Sequence, residues 1–169
     1  MMKHWRSGLL SICLSLMLVV TGCNAQPPSP YTQVQQESTQ RNAPAAVAKE
    51  AVPGSQFNAL FPQPRDGFER VYTQEKKGFS EAKLKKDGKD LAMLSISDTI
   101  SLPMAAQKYS ESTATLAGYP MLEIGNTQTG LLVADRFQVK ALSRDASFTP
   151  ENRKEWLTRF DLTGLAKLK

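Results

Sequence analysis

A two-residue turn signal constrains the fold of this 169-residue chain more than any other feature of its sequence. Asp87-Gly88 separates two runs, residues 79–86 and 89–96, in which apolar and polar side chains largely alternate. The Asp-Gly pair is favoured in type I′ turns because both central residues of such a turn take positive φ values. This pattern of run, turn and run predicts a β-hairpin.

A two-residue loop also predicts the register of the hairpin. One predicted cross-strand pair, Lys85 with Asp90, carries opposite charges that stabilise the pairing. The other predicted pairs bring apolar side chains together: Leu84 with Leu91, Ala82 with Met93, and Phe79 with Ile96. We therefore expect the hairpin to belong to an antiparallel sheet with a buried face.

Three further segments are predicted to be strands. Residues 68–73 are rich in β-prone side chains, and residues 121–124 form a short apolar run before a turn at residues 125–130. Residues 131–143 are the longest candidate, with apolar side chains on one face. Asp135 interrupts that face, which indicates a bulge or an exposed functional position.

Two helices are predicted from their start signals. Leu102-Pro103 opens the first, with Ser101 as its cap and Gly118 as its stop. Residues 149–151 (Thr-Pro-Glu) open the second, and its apolar stripe continues to the end of the chain. These elements predict an α+β fold: an antiparallel sheet of four or five strands with two helices packed on one face. We expect residues 57–169 to form this single globular domain.

The amino-terminal segment has the composition of an export signal. A basic start containing Lys3 and Arg6 precedes residues 8–20, which carry no charge. This run is shorter than the roughly 20 residues that a membrane-spanning helix needs. It has the length of the apolar region of a signal peptide.

The tetrapeptide Val20-Thr21-Gly22-Cys23 follows this run and resembles the lipobox of bacterial lipoproteins. The resemblance implies that residues 1–22 are a signal peptide and that Cys23 becomes an amino terminus carrying acyl chains such as palmitate. It also implies a membrane-bound lipoprotein of the cell envelope. Two alternatives remain open: ordinary signal cleavage, which would release a soluble protein, and an uncleaved membrane anchor.

The residue after the lipobox cysteine bears on which membrane holds the protein. In the lipoprotein family an aspartate at this position favours retention in the inner membrane, whereas this chain has Asn24. The resemblance therefore implies the periplasmic face of the outer membrane, provided that the organism is Gram-negative. Residues 23–56, which are rich in proline and glutamine beyond the acylated cysteine, are expected to form a disordered tether.

The chain contains few of the side chains that most often act in catalysis or bind metals, histidine and cysteine. Histidine occurs only at His4 and cysteine only at Cys13 and Cys23. If the chain is cut before Cys23, the mature protein has neither histidine nor a free thiol. Zinc sites built from these residues and nucleophiles activated by an imidazole are then excluded. We expect no cofactor and no metal.

Lysines are concentrated in and beside the predicted hairpin. They are Lys76, Lys77, Lys83, Lys85, Lys86 and Lys89. One interpretation is contact with an anionic surface, such as lipid head groups or an acidic polymer. The other, which we favour on the sequence, is an edge strand that uses lysine to block unwanted strand pairing, because acidic residues dilute the charge. The formal net charge of +5 is also too low and too dispersed to indicate a nucleic-acid partner.

Two patterns suggest catalysis weakly. Ser80 and Lys83 match the S-x-x-K motif of β-lactamases, but on a strand they would lie on opposite faces. Asp98, Glu123 and Asp135 come from different predicted elements and could converge as acid–base groups, although no spacing requires it.

Three functional hypotheses follow from these observations. The leading one is a non-catalytic binding or assembly module, held to the membrane through lipid on Cys23, that contacts an envelope protein or an anionic polymer. The alternatives are a small carboxylate-dependent hydrolase of cell-wall glycan and a carrier of an apolar ligand. In the carrier, aromatic side chains such as Tyr119, Phe137 and Trp156 would line a pocket rather than fill the core.

Overall fold

A computed structural model describes residues 48–168 of the chain. The proposed signal peptide, Cys23 and most of the predicted tether lie outside these residues. The seven strands of the described part are β1 (Phe68–Lys76), β2 (Phe79–Lys86), β3 (Lys89–Asp98), β4 (Thr115–Leu116), β5 (Tyr119–Ile124), β6 (Gln128–Val133) and β7 (Phe137–Ser143). Its four short α-helices are α1 (Gly54–Asn58), α2 (Pro103–Gln107), α3 (Pro150–Thr158) and α4 (Leu162–Ala166), and a 3₁₀ turn spans Thr99–Ser101.

The seven strands form one antiparallel sheet in the order β1-β2-β3-β7-β6-β5-β4. The prediction of an antiparallel sheet is confirmed, but the sheet is larger and the helices are smaller than expected, so the described part is mostly β-structure. One cause is that the long strand predicted at residues 131–143 is two strands. Ala134 and Asp135 have φ values of 51° and 53° and form the turn between β6 and β7. Asp135 is therefore exposed in a hairpin turn, so of the two alternatives predicted for it the bulge is wrong.

The helix predicted between Leu102 and Gly118 is also mostly absent. Only the five residues of α2 are helical, and Ser101 does not cap them. The end of the predicted helix is instead the β4–β5 hairpin, whose turn residues Ala117 and Gly118 have φ values of 52° and 84°. The β-branched side chain of Thr115 suits this extended conformation better than a helix.

The Asp87-Gly88 hairpin is confirmed, with positive φ at both turn residues and Lys85 opposite Asp90. Beyond that pair the predicted register is wrong by one residue, because Leu91 is an extra residue in β3 and forms a bulge. The carbonyl of Leu91 turns aside and accepts hydrogen bonds from the loop after β7. The observed pairs are Leu84 with Ala92, Ala82 with Leu94, and Phe79 with Ser97.

The hydrophobic core lies on one face of the sheet, hereafter the core face. Trp156 and Leu157 of α3 and Leu162 and Leu165 of α4 pack there against the strands. Helix α3 begins as predicted, since Thr149 caps it and forms a capping box with its third residue. The two helices supply burial that a sheet alone lacks.

The packed domain begins before Phe57, the predicted boundary. Ala51 and Val52 are buried, and helix α1 starts at Gly54. The Val52 carbonyl accepts a hydrogen bond from the Gly78 amide, with 2.7 Å between N and O. Gly54 packs so closely that an added Cβ would lie 2.4 Å from the Lys76 carbonyl oxygen. A short apolar pair within a polar segment is enough to dock residues 51–54 against the strands.

The opposite face of the sheet, hereafter the second face, is covered mainly by residues 99–114. Tyr109 packs on this face against Gly130 and Gln138 and is only 2% exposed. Within residues 48–168 the longest helix has nine residues, and none is long and apolar enough to cross a bilayer.

Candidate functional site

An open groove of about 340 Å³ lies on the second face, between the sheet and the segment that leads into α2. Side chains alternate between the two faces along each strand, and this alternation determines which residues form the floor of the groove. Ser97 on β3 and Gln138 on β7 are cross-strand neighbours, and Lys140 lies two residues further along β7 on the same face. Lys76 and Lys77, from the β1–β2 turn region, form its rim. We call this feature, defined by these five residues, the basic groove.

A tyrosine fixes one wall of the basic groove. The Gln138 side-chain amide donates a hydrogen bond to the Tyr109 hydroxyl oxygen, at 2.9 Å. Burial raises the pKa of Tyr109, so the hydroxyl stays neutral at physiological pH. Gly130 makes room for this ring, since a Cβ there would lie 2.3 Å from the hydroxyl oxygen. The Tyr109–Gln138 contact is therefore a rigid structural element beside the groove.

Lys140 is the least ordinary group of the basic groove. It is half-buried, and burial lowers its pKa below the usual lysine value, with nearby Lys108 adding to the effect and Glu81 opposing it. No carboxylate of residues 48–168 lies within ion-pair distance of its ammonium nitrogen. A partly desolvated cation without a partner is destabilising, and an anion that supplied the missing charge would bind there favourably.

Asp98 lies at the end of the groove, and both oxygens of its carboxylate accept hydrogen bonds. Its carboxylate accepts two hydrogen bonds from Arg136, at 2.9 and 2.7 Å, and one each from the backbone amides of Val52 and Ile100. Burial alone would raise the pKa of Asp98, but these donors hold it below its ordinary value. A carboxylate kept ionised and saturated with donors is unsuited to act as a general acid, so Asp98 is structural.

The other two acidic candidates do not join Asp98 in one cleft. Glu123 forms an ion pair with Arg153, at 3.2 Å, and accepts a hydrogen bond from Thr129. Arg153 is buried and connects α3 to the sheet, so the Glu123–Arg153 pair is a packing feature. Asp135 is exposed in the β6–β7 turn. The structure thus gives Asp98 and Glu123 separate arginine partners and assembles no acid–base pair from the three.

The structure divides the predicted lysine cluster. Lys76 and Lys77 reach the basic groove, whereas Lys83 pairs with Asp90 at 2.8 Å on the hairpin. The remaining three lie nearer the Asp87-Gly88 turn: Lys85, opposite Asp90; Lys86, above the Phe68 ring; and Lys89, exposed after the turn. The cluster is therefore not one surface.

Sequence reasoning missed Lys140. It lies far along the chain from the other lysines, in a strand predicted from its apolar face. The signal that could have found it is the alternation of β7, which puts Gln138 and Lys140 together on the face opposite Val139 and Ala141.

The remaining sequence candidates have structural positions or lie outside the described residues. Ser80 is buried on the core face and donates a hydrogen bond to Asn58, while Lys83 points to the second face, so the S-x-x-K match has no catalytic geometry. Phe137 and Trp156 are in the core, and Tyr119 packs against it. Cys23 is not among the described residues.

No group of three or more histidine, cysteine, aspartate or glutamate side chains in residues 48–168 is arranged to hold a metal ion. In comparisons with known proteins, no family model, no curated protein and no solved structure matches the chain. The functional interpretation therefore depends on the chain's own residues.

Proposed function

We propose that this chain is a lipid-anchored, non-catalytic binding module of the bacterial cell envelope, whose basic groove holds an anionic group of an envelope component. The lipobox-like residues 20–23 support the anchor. The groove supports the binding role, and the observation that carries it is the half-buried Lys140 ammonium, which has no carboxylate of residues 48–168 within ion-pair distance although Glu81 is nearby. Phosphate or carboxylate are the groups that would complete such a site.

The two alternative functions have less support. A glycan hydrolase needs two carboxylates facing each other across a cleft, and Asp98 and Glu123 are instead each engaged by an arginine. A carrier of an apolar ligand needs an enclosed apolar cavity, whereas the basic groove is open and has lysines on its floor and rim.

The binding role is tested by calorimetric titration of the mature chain with Cys23→Ser, which prevents acylation. The titrants are lipopolysaccharide, an anionic wall polymer and anionic phospholipid, each in a separate run. We expect at least one to bind, and Lys140→Met to weaken that binding about tenfold, the usual effect of removing one charged contact of ~1.4 kcal/mol.

Lys89→Met is the matched control, because it removes the same charge from an exposed position outside the groove. It should change the affinity by less than about twofold, in keeping with the small energies of exposed charges. Equal losses in the Lys89→Met and Lys140→Met variants would show that binding follows total charge and not the groove. No binding by any titrant would also contradict the proposal.

A further inference from the structure

Three exposed apolar side chains lie beside the basic groove. Ile100, Leu102 and Met104 are 37%, 61% and 68% exposed, at alternate positions of the segment that ends the 3₁₀ turn and begins α2. We call these three residues the apolar patch. Leu102 also lines the basic groove, so the patch and the groove are continuous. Large apolar side chains exposed together are characteristic of contact surfaces.

The first described residues of the chain lie beside the apolar patch and the rim of the basic groove. The Ala48 amide donates a hydrogen bond to the Ser101 hydroxyl, at 2.7 Å, and the Lys77 ammonium donates one to the Lys49 carbonyl, at 2.5 Å. The described chain therefore begins between the patch and the rim of the groove. Residues 24–47, if fully extended, would span at most about 85 Å between this point and Cys23. A lipid on Cys23 would keep the domain within this distance of the membrane.

Charged side chains of both signs lie around the apolar patch. Exposed lysines on this end of the domain are Lys49, Lys76, Lys77 and Lys108. Four exposed carboxylates lie there as well, Glu50, Glu75, Glu111 and Asp135, and half-buried Glu81 acts on Lys140. The charges at this end are therefore balanced, because Asp98 and Arg136 also neutralise each other. The preference for an anion comes from Lys140, which lines the groove and has no carboxylate of residues 48–168 within ion-pair distance.

We propose that the apolar patch docks into the anionic leaflet that carries the lipid on Cys23, and that the basic groove takes a phospholipid head-group phosphate. This inference rests on the proposed function and names its partner. Apolar side chains inserted at the interface, with lysines beside them, are the usual composition of a peripheral membrane contact. Each contact is weak, but a lipid anchor raises the effective concentration of the patch at the bilayer.

The first test uses the mature chain with Cys23→Ser and measures co-sedimentation with vesicles of phosphatidylethanolamine and phosphatidylglycerol. We expect binding that falls with added salt and is much weaker with phosphatidylcholine vesicles. The double variant Leu102→Ser/Met104→Ser should lower the partition coefficient by about tenfold or more, because it removes two inserted apolar side chains.

Ile124→Ser is the matched control, since Ile124 is 40% exposed but lies on β5, outside the patch. It should change the partition coefficient by less than about twofold. Equal binding by the wild type and the double variant would overturn the docking proposal. Failure of the wild type to bind the anionic vesicles, or stronger binding to the neutral ones, would also overturn it. Binding to lipopolysaccharide or wall polymer through Lys140 would then leave the proposed function standing with a different partner.

A second readout uses the lipidated chain in the same vesicles. The acylated mature chain has no free thiol, so Met104→Cys and Ala146→Cys each provide one labelling site. Ala146 is exposed in the loop after β7, at the other end of the strands. An environment-sensitive dye should shift to the blue and be quenched by lipid-borne quenchers at position 104 and not at position 146. The same spectrum at both positions would exclude docking through the patch, even if the anchor on Cys23 is confirmed by mass.

Discussion

At the residue scale, Lys140 has an arrangement that function explains better than stability does. A half-buried ammonium whose pKa is lowered by burial makes the folded state less stable than an apolar residue of similar shape would. Binding sites commonly retain such groups at a cost in stability, because the ligand supplies the missing interaction. The carboxylates of Asp98 and Glu123 and the hydroxyl of Tyr109 instead have hydrogen-bond partners within the domain.

We expect Lys140→Met to raise the free energy of unfolding by a few tenths to about 1 kcal/mol while weakening anion binding. The sign of the pH dependence follows from the lowered pKa. In the alkaline range the unfolded state binds more protons, so wild-type stability should rise with pH there, and this rise should be missing in the variant. Urea unfolding at several pH values measures both effects. A variant less stable than the wild type would show that the ammonium has a stabilising partner.

Ala134 illustrates a second residue-scale property, backbone strain. Its φ value of 51° lies in the left-handed region, where a Cβ is unfavourable, in the turn between β6 and β7. Ala134→Gly should therefore stabilise the protein, by about 0.5 kcal/mol after the greater unfolded-state entropy of glycine is subtracted. Thermal unfolding should show a small rise in Tm, whereas Ala146→Gly, at an exposed residue without positive φ, should lower it. A lower Tm for Ala134→Gly would contradict the strain argument.

At the scale of elements, the Asp98–Arg136 pair joins three pieces of the chain. It connects the end of β3 to the β6–β7 turn, and through the Val52 amide it holds the segment that leads into α1. Breaking a buried, hydrogen-bonded ion pair leaves an unpaired charge, although Arg136 is one-quarter exposed here. The pair therefore keeps the start of the domain beside the basic groove.

Asp98→Asn should lower the free energy of unfolding by about 2–3 kcal/mol. Because the pKa of folded Asp98 lies below its ordinary 3.8, its contribution is present above that pH and is lost as the pH falls through the folded value. Urea unfolding at about pH 7 and about pH 3 should show a smaller acid-induced loss in the variant than in the wild type. Asp135→Asn, in an exposed turn, is the control and should behave like the wild type. The prediction fails if both variants show the same acid response.

The elements also show which parts of the fold the sequence could predict. The hairpin turn at Asp87-Gly88 and the helix start at residues 149–151 depend on side chains whose chemistry selects the local structure, and both predictions are confirmed. The turns at Ala117 and Ala134 contain alanine where glycine, asparagine or aspartate is usual, so tertiary pairing decides them. For this reason the strand predicted at residues 131–143 is two strands, and the end of the helix predicted between Leu102 and Gly118 is a hairpin.

The residues of the candidate site also differ in whether local sequence or long-range strand pairing places them. Lys76 and Lys77 are visible as part of a lysine-rich stretch, whereas Lys140 comes to the groove only because β7 lies next to β3. The bulge at Leu91 depends on the loop after β7 as well as on its own strand. Long-range pairing therefore determines the site, and local patterns do not reveal it.

At the scale of the whole molecule, the two faces of the sheet differ in packing and composition. The core face carries the hydrophobic cluster under α1, α3 and α4. The second face has polar floor residues, an open groove and the apolar patch, all at the end where residue 48 enters the domain. A small domain that leaves one face partly open is consistent with binding rather than with enclosing a ligand.

The intact mass of the protein, purified from a membrane fraction of the cells that make it, tests the central claim of a lipid-anchored module most directly. We predict loss of residues 1–22 and acyl chains on Cys23. A chain that retains residues 1–22, or one that begins at Cys23 or later without lipid, would contradict the account.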